Sequence, residues 1–477
     1  MFNERMVEEL SDILGKGSVL TSLEDLIVYE TDALTLFKGK PYAVILPSST
    51  EEVSKSVKIC CRENVPFIPR GAGTSLSGAT NPENGAIIIS FSRMNKVIEI
   101  DIDNCLAVVE AGLVNIHLSE QTSGTGLHYA PDPSSQPACT IGGNISHNSG
   151  GPHTLKYGVT TNHVLGLEVV LPDGEIVQLG GKTHDSLGYD LVGIMAGSEG
   201  TLGIITKAIV SLTPVPETIK TFLASFKNMN DASKAVSHVI SAGIIPAAIE
   251  MMDNLAINAV EASIHSAGYP KDAGAVLLIE IDGANCSLNR QVNKIIKICR
   301  SNYATDVIIA KDQNERKKLW AGRKGAFGAM GRIGPDYYVQ DGVIPRSKLP
   351  EILRIVSKTA HKYGLKIANV FHAGDGNIHP LISFDSRIAG QTDKVIKAGE
   401  EIITACVSLG GSITGEHGVG IEKRDLMPLI FSKEDLSAMK NVKSIFNPNN
   451  LCNPGKIFPT SSSCVDAVSK VGVPVGW

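Results

Sequence analysis

An α+β fold built from at least two domains is what this sequence predicts, and three observations carry that expectation. At 477 residues the chain exceeds the size at which one hydrophobic core stops growing, and its 43% hydrophobic content can fill more than one. Strand-like runs alternate with helical ones up to about Pro214. There the proline-rich joint Thr213-Pro214-Val215-Pro216-Glu217 interrupts the pattern and marks a domain boundary.

The elements follow in order. Residues 1–36 form an N-terminal helical segment that opens on the acidic amphipathic stretch Met1 to Leu10; it has no apolar h-region, so no signal peptide is expected. Tyr42 to Pro47 reads as a buried strand. Ser49-x-x-Glu52 is a capping box opening a helix through Lys58 to about Glu63. Next comes Pro69-Arg70-Gly71-Ala72-Gly73-Thr74-Ser75-Leu76-Ser77-Gly78, a loop with almost no side-chain bulk. Its glycines allow close backbone approach, its amides can turn toward anionic oxygens, and Thr74, Ser75 and Ser77 add donors, as a phosphate cradle requires. It is neither a Gly-Lys-Ser/Thr nucleotide loop nor a G-x-G-x-x-G turn. Ala86 to Ser90, Lys96 to Asp101, Leu106 to Ala111 and Val164 to Leu171 are further strands. Beyond the joint, a helix from Lys227 to Ser241 and a strand from Val276 to Ile281 suggest an α+β cap with its helices on one face.

Composition excludes several classes of partner. A formal charge of -5 with no Lys/Arg-rich run argues against nucleic acid. No run of 18 apolar residues exists to span a membrane. Nine scattered cysteines without a C-x-x-C pair predict a reduced, cytoplasmic protein lacking its own iron–sulfur cluster. Its electrons would leave through another protein or a diffusible acceptor.

A second set of glycine-rich stretches makes the reading specific. Pro131-Asp132-Pro133, Thr140-Ile141-Gly142-Gly143-Asn144, Asn148-Ser149-Gly150-Gly151 and Gly197-Ser198-Glu199-Gly200-Thr201-Leu202-Gly203 follow the first loop. In order and spacing these resemble the FAD-binding domain of the vanillyl-alcohol oxidase family, the PCMH-type fold. The resemblance implies a PCMH-type FAD-binding domain of two α/β subdomains over residues 37–215. An α+β substrate and metal cap (216–420), a segment returning to the flavin (421–459) and a tail (460–477) would follow. It implies cofactor contacts from Pro69, Arg70, Gly71, Ala72, Gly73, Thr74, Ser75 and Ser77 at the pyrophosphate. Pro131, Asp132, Thr140, Gly142, Gly143, Asn144, Ser149, Gly150 and Gly151 would line the cofactor, with Glu199, Gly203, Ile204 and Asn453 completing the set. Members that attach FAD covalently carry a histidine in the first loop, where this chain has Gly73-Thr74-Ser75; non-covalent FAD is therefore expected.

The cap carries His372-Ala373-Gly374-Asp375-Gly376-Asn377-Ile378-His379 between the strand-like runs Lys366 to Phe371 and Pro380 to Phe384. Asp-Gly between two such runs favours a two-residue type I′ turn. That turn would set His372 and His379 directly opposite, Cβ atoms about 4.5–5.5 Å apart, a separation suited to one shared divalent metal. Glu416 and His417, between glycines in Thr414 to Gly420, offer a carboxylate and another imidazole. H-x-G-D-G-N-x-H followed by G-E-H-G-x-G resembles the metal site of the FAD-dependent D-2-hydroxyacid dehydrogenases, a group including D-lactate dehydrogenases and the glycolate oxidase flavin subunit. The resemblance covers about Tyr29 to Pro459. It implies His372, His379 and Glu416 as ligands to zinc, iron or manganese, His417 as catalytic base and Arg323 as carboxylate binder.

Two departures bear on the substrate. Where D-2-hydroxyglutarate dehydrogenases hold their substrate with a lysine and an asparagine, this chain has Val339 and Leu381. A small D-2-hydroxy monocarboxylate is expected, D-lactate ahead of glycolate, with an electron-transferring flavoprotein or iron–sulfur subunit as acceptor. A non-redox flavin enzyme of the same fold, as in ether-lipid synthesis, and a non-catalytic electron-transfer subunit are the alternatives; the intact Glu416-His417 pair argues against the latter.

Overall fold

The computed structural model describes residues 4–83, 85–183 and 188–460; the expected tail, apart from Thr460, and Cys464 lie outside them. The chain divides into two compact units. One holds 1–150, 159–215 and 416–477, the other 151–158 and 216–415.

In the first unit, strands Ala43–Ile45, Ile87–Ser90 and Phe67–Arg70 run parallel, with the short Val19–Leu20 antiparallel at the edge. Ala43, Val44, Ile45, Ile87, Ile88 and Ile89 are all fully buried, which is why these strands read as continuous apolar runs. Helix Thr50–Arg62 packs Val53, Val57 and Cys60, spaced at helical period, into the same core. Ser49 caps it by accepting the Glu52 amide at 3.2 Å. The return half of the expected capping box is displaced by one residue: the Glu52 carboxylate takes the amide of Ser48 at 2.6 Å.

A five-stranded antiparallel sheet follows, with Ile204–Ser211 at its centre between Leu106–Glu110 and Val164–Val170. Helix Ile141–His147 begins at Thr140, whose hydroxyl accepts the Gly143 amide, and ends at Asn148 in the left-handed conformation. No helix among the described residues is long and apolar enough to cross a membrane.

The second unit is built on an antiparallel sheet. Asp306–Ile309, Thr218–Phe226, Ala275–Gly283, Ala248–Asp253 and Lys366–His372 lie side by side, and broken strands from Asp336 to Val343 and Asn377 to Phe384 extend it. Helices were expected on one face, and the structure differs. Ala248 to Asp253 and Ala275 to Ile281 are buried at every position, because both faces are covered. Helices Asn254–Glu261, Gln313–Lys324 and Ala326–Ala329 pack with Leu223, Met252, Leu278 and Val370 of one face. Helices Met229–Ser241 and Asn285–Ser301 contact the sheet as well, and Met229–Ser241 also packs with Leu349–Tyr363.

The His372–His379 hairpin is the second difference. His372 pairs with Asn377 and Asn369 with Pro380, so four residues, Ala373 to Gly376, form the turn in place of two. The amide of Gly376 closes it on the His372 carbonyl at 3.2 Å. In this register His372 and His379 are diagonal neighbours on one face of the hairpin, not directly opposed residues.

Candidate active site

A cleft of about 460 Å³, counted to its open mouth, lies in the first unit. Of the expected cofactor residues, Pro69, Arg70, Gly71, Thr140, Gly142, Gly143, Glu199 and Gly203 line it. Its walls need glycine: a Cβ on Gly71 would stand 2.2 Å from Thr140 Oγ1, and one on Gly142 would stand 2.6 Å from Ala111 Cβ. Gly73 sits at φ +71°, where its own Cβ would meet the Arg70 guanidinium. Arg70 is turned beneath the loop, donating to the Thr31 carbonyl at 2.9 Å, so it supports the loop from behind. Burial lowers its pKa. The amides of Gly71 to Leu76 donate to no acceptor among the described residues. A row of unused amides beside a glycine-walled cleft fits the pyrophosphate of a dinucleotide.

Several expected residues do other work. Asn144 Oδ1 accepts from Asn115 Nδ2, which also holds the Pro131 carbonyl, so these two brace the wall. Asn453 Nδ2 donates to the carbonyls of Ala79 and Glu199, tying the C-terminal segment to the cleft. Ser75 and Ser77 bond to one another through their hydroxyls at 3.2 Å. Gly151 belongs to the second unit. Ala72, Thr74, Asp132, Ser149, Gly150 and Ile204 are not among the lining residues.

The structure adds His147, Ala111, Phe91 and Ile205 to the lining. Ala111 ends the expected strand Leu106 to Ala111, whereas Ile205 lies in Ile204–Ser211, where no strand was expected. His147 stands within a motif read only for its glycines and asparagines. Its Nδ1 lies 3.1 Å from the Gly143 carbonyl and its Nε2 3.0 Å from Ser75 Oγ. Both ring nitrogens are therefore occupied by protein, and dissociable FAD is expected. Acid or heat should release all the flavin into the supernatant; flavin retained in the precipitate would overturn this.

Glu199 links the cleft to the expected base. It adopts φ +52°, and its carboxylate accepts the amides of Val419 at 2.6 Å and Gly420 at 2.8 Å. Burial raises its pKa, opposed by the His147 charge and by those two amides. The turn carrying His417 is thereby clamped to a residue of the cleft wall. His417 Nε2 lies 3.9 Å from Glu416 Oε1, and both side chains are nearly buried.

In the second unit, His372 and His379 come together with ring centroids 5.1 Å apart at 89°. Both are buried. Behind His372 lies Glu250, whose two oxygens stand 2.8 and 2.9 Å from Nδ1. Burial pushes the Glu250 carboxyl upward, but Arg323 and His372 outweigh it and hold the pKa below its usual value. Across from His379 is Asp341, fully buried, with Oδ1 3.9 Å from Nδ1. Its Oδ2 accepts Thr414 Oγ1 and the Gly415 amide at 2.5 and 2.9 Å. The next residue in the chain is Glu416.

Arg323 is 1% exposed, on a helix drawn close at Gly322, where a Cβ would stand 2.7 Å from Ala267 Cβ. Its Nη2 lies 2.5 Å from Glu250 Oε2, but no N–H is aligned for a hydrogen bond there, and Nε and Nη1 also find no acceptor among the described residues. Buried guanidinium donors without acceptors fit a carboxylate ligand. Val339 and Leu381 pair directly across strands and are buried in the core of this unit, leaving no polar side chain at either position for a second carboxylate.

A pair of buried imidazoles backed by a carboxylate fits a divalent metal. The glycine-walled cleft and this donor set both fit a flavin-dependent oxidoreductase. The chain belongs to the FAD-linked oxidases: residues 215–457 match the C-terminal domain of that family and 41–180 an FAD-binding domain. It is 42% identical to the glycolate oxidase subunit GlcD of Escherichia coli K12, over 98% of this chain and 96% of that protein. It is 41% identical to GlcD of Bacillus subtilis, over 96% and 97%, and 31% identical to the D-lactate dehydrogenase of Anaerostipes hadrus, over 95% and 97%. Among solved structures, p-cresol methylhydroxylase with substrate bound gives a TM-score of 0.81 at 18% identity over 95% of this chain and 96% of that one. Alkyldihydroxyacetonephosphate synthase gives 0.75 at 21% identity over 95% and 85%. These last two share the fold.

Proposed function

We propose that this protein oxidises a small 2-hydroxy acid with one carboxylate, glycolate or D-lactate, to the 2-oxo acid. The observation that carries the reading is Arg323, a buried guanidinium that shares Glu250 with His372 and whose Nε and Nη1 find no acceptor among the described residues. In it, Arg323 binds the substrate carboxylate and His417 takes the hydroxyl proton. A neutral imidazole suits that task because its pKa lies near the working pH. Bound FAD supplies the acceptor for the hydride from Cα. A divalent metal held by His372, His379 and Glu416 supplies a positive charge that favours the deprotonated hydroxyl. Placing Glu416 in that set rests on its position in the chain, immediately after Gly415. The relatives at 41–42% identity carry the glycolate name and the one at 31% the D-lactate name, and the description of the former as a subunit supports an electron-accepting partner, an electron-transferring flavoprotein or an iron–sulfur protein.

Anaerobic stopped-flow reduction of the bound flavin by glycolate, D-lactate, L-lactate and D-2-hydroxyglutarate tests the reading. Glycolate or D-lactate should reduce it fastest. D-2-hydroxyglutarate should lag well behind, because burying an unpartnered polar group costs on the order of 2–7 kcal/mol. Flavin that none of these acids reduces would exclude the proposed reaction.

A further inference from the structure

We propose that Glu250 is a positioning residue whose single carboxylate sets both which nitrogen His372 presents and how Arg323 is aimed. Glu250 and His372 are direct cross-strand partners in the antiparallel pair Ala248–Asp253 with Lys366–His372, so the backbone register itself fixes their separation. An ionised carboxylate can only accept hydrogen bonds. The proton between them therefore sits on His372 Nδ1, and Nε2 is the nitrogen turned away from Glu250. With both oxygens within 2.9 Å of that one nitrogen, the ring is held from behind. The same group stands 2.5 Å from Arg323 Nη2 and, like Arg323, is 1% exposed. It thus balances the guanidinium charge where water cannot, without taking an aligned hydrogen bond from it. Nε and Nη1, which find no acceptor among the described residues, stay available for another anion.

The sequence context supports a site role. Glu250 interrupts the apolar run Ala248-Ile249-Glu250-Met251-Met252, where an acid is costly unless paired. Another buried acid of this sheet, Glu280, is occupied by Arg316, Thr221, Trp320 and His153, and reads as a structural knot. Glu250 instead joins the two residues to which the proposed function gives metal and carboxylate binding. Its effect on the metal rests on that reading; its effect on the His372 tautomer does not.

Glu250→Gln in the FAD-loaded protein tests this. After metal stripping, Zn²⁺ affinity measured against a chromophoric chelator should fall about 10–100-fold, the usual effect of losing such a supporting group. Imidazole ¹⁵N spectra of the metal-stripped protein should show His372 in the Nδ1–H form in the wild type and a mixture in the variant. Wild-type Zn²⁺ affinity together with an unchanged tautomer would overturn the proposal. A wild-type protein that binds no Zn²⁺, but whose tautomer shifts in the variant, would sink the metal reading and leave the positioning role standing. Should Glu250→Gln fail to fold, Glu250→Asp keeps the charge and withdraws it by one methylene. A folded Glu250→Asp is expected to bind Zn²⁺ more weakly with the same tautomer change, and unchanged affinity and tautomer there would equally overturn it.

Discussion

Replacing His417 with alanine is expected to slow reduction of the bound flavin by the hydroxy acid on the order of 10²–10⁴-fold, the contribution of a positioned general base. The substitution should leave the fold intact. The turn bearing His417 is held through the backbone amides of Val419 and Gly420 on the Glu199 carboxylate, contacts that do not involve the imidazole. Metal content should stay at the wild-type level, because His417 is assigned to the proton and not to the ion. Rapid-mixing absorbance of the flavin, together with metal analysis of the same preparation, separates the outcomes. A wild-type rate, or metal lost alongside activity, would show that the roles are misassigned.

Stripping the proposed divalent metal with a chelator should abolish turnover and leave FAD in place, since the residues that line the flavin cleft belong to one unit and two of the three proposed ligands, His372 and His379, to the other. Activity should return when metal is added back to the wild type. It should not return in His372→Ala, which lacks a ligand whatever the metal concentration. That variant also removes the imidazole N–H that the Glu250 carboxylate accepts, and losing a hydrogen bond to a charged group costs about 1.5–3 kcal/mol. A lowered melting temperature should accompany the loss of metal, and full turnover in metal-free wild-type protein would refute the ligand assignment.

Local signals made much of this molecule legible. The glycine-rich loop after Arg70, the strands around it and the helix capped at Ser49 follow from residue type and period alone. The hairpin strands were legible for the same reason, but their register was not. Asp375-Gly376 invited a two-residue turn, and the structure uses all four residues from Ala373, which moves His379 by two residues along the strand. The two histidines still meet because a shift of two in register keeps every side chain on its face. Glu250, Asp341 and His147 were missed for a different reason. Their partners lie 122, 73 and 72 residues away in the chain, and no local pattern encodes contacts of that span. An acid inside an apolar strand was the one available hint for Glu250. That helices cover both faces of the cap sheet was hidden because fully buried strands carry no alternation to count.

The short stretch Gly151 to Gly158 has a consequence for anyone who would exchange parts between relatives. It lies within the sequence of the flavin-binding half, yet it folds with the other unit. There Lys156 and Tyr157 both bond the Asp282 carboxylate and His153 reaches Glu280. A chimera cut only near residues 215 and 415 would import a cap whose Asp282 expects a lysine and a tyrosine from its own lineage. Unless the recipient supplies both at 156 and 157, a nearly buried acid loses its counter-charge. The eight residues must travel with the cap, and the natural unit of exchange is a discontinuous one.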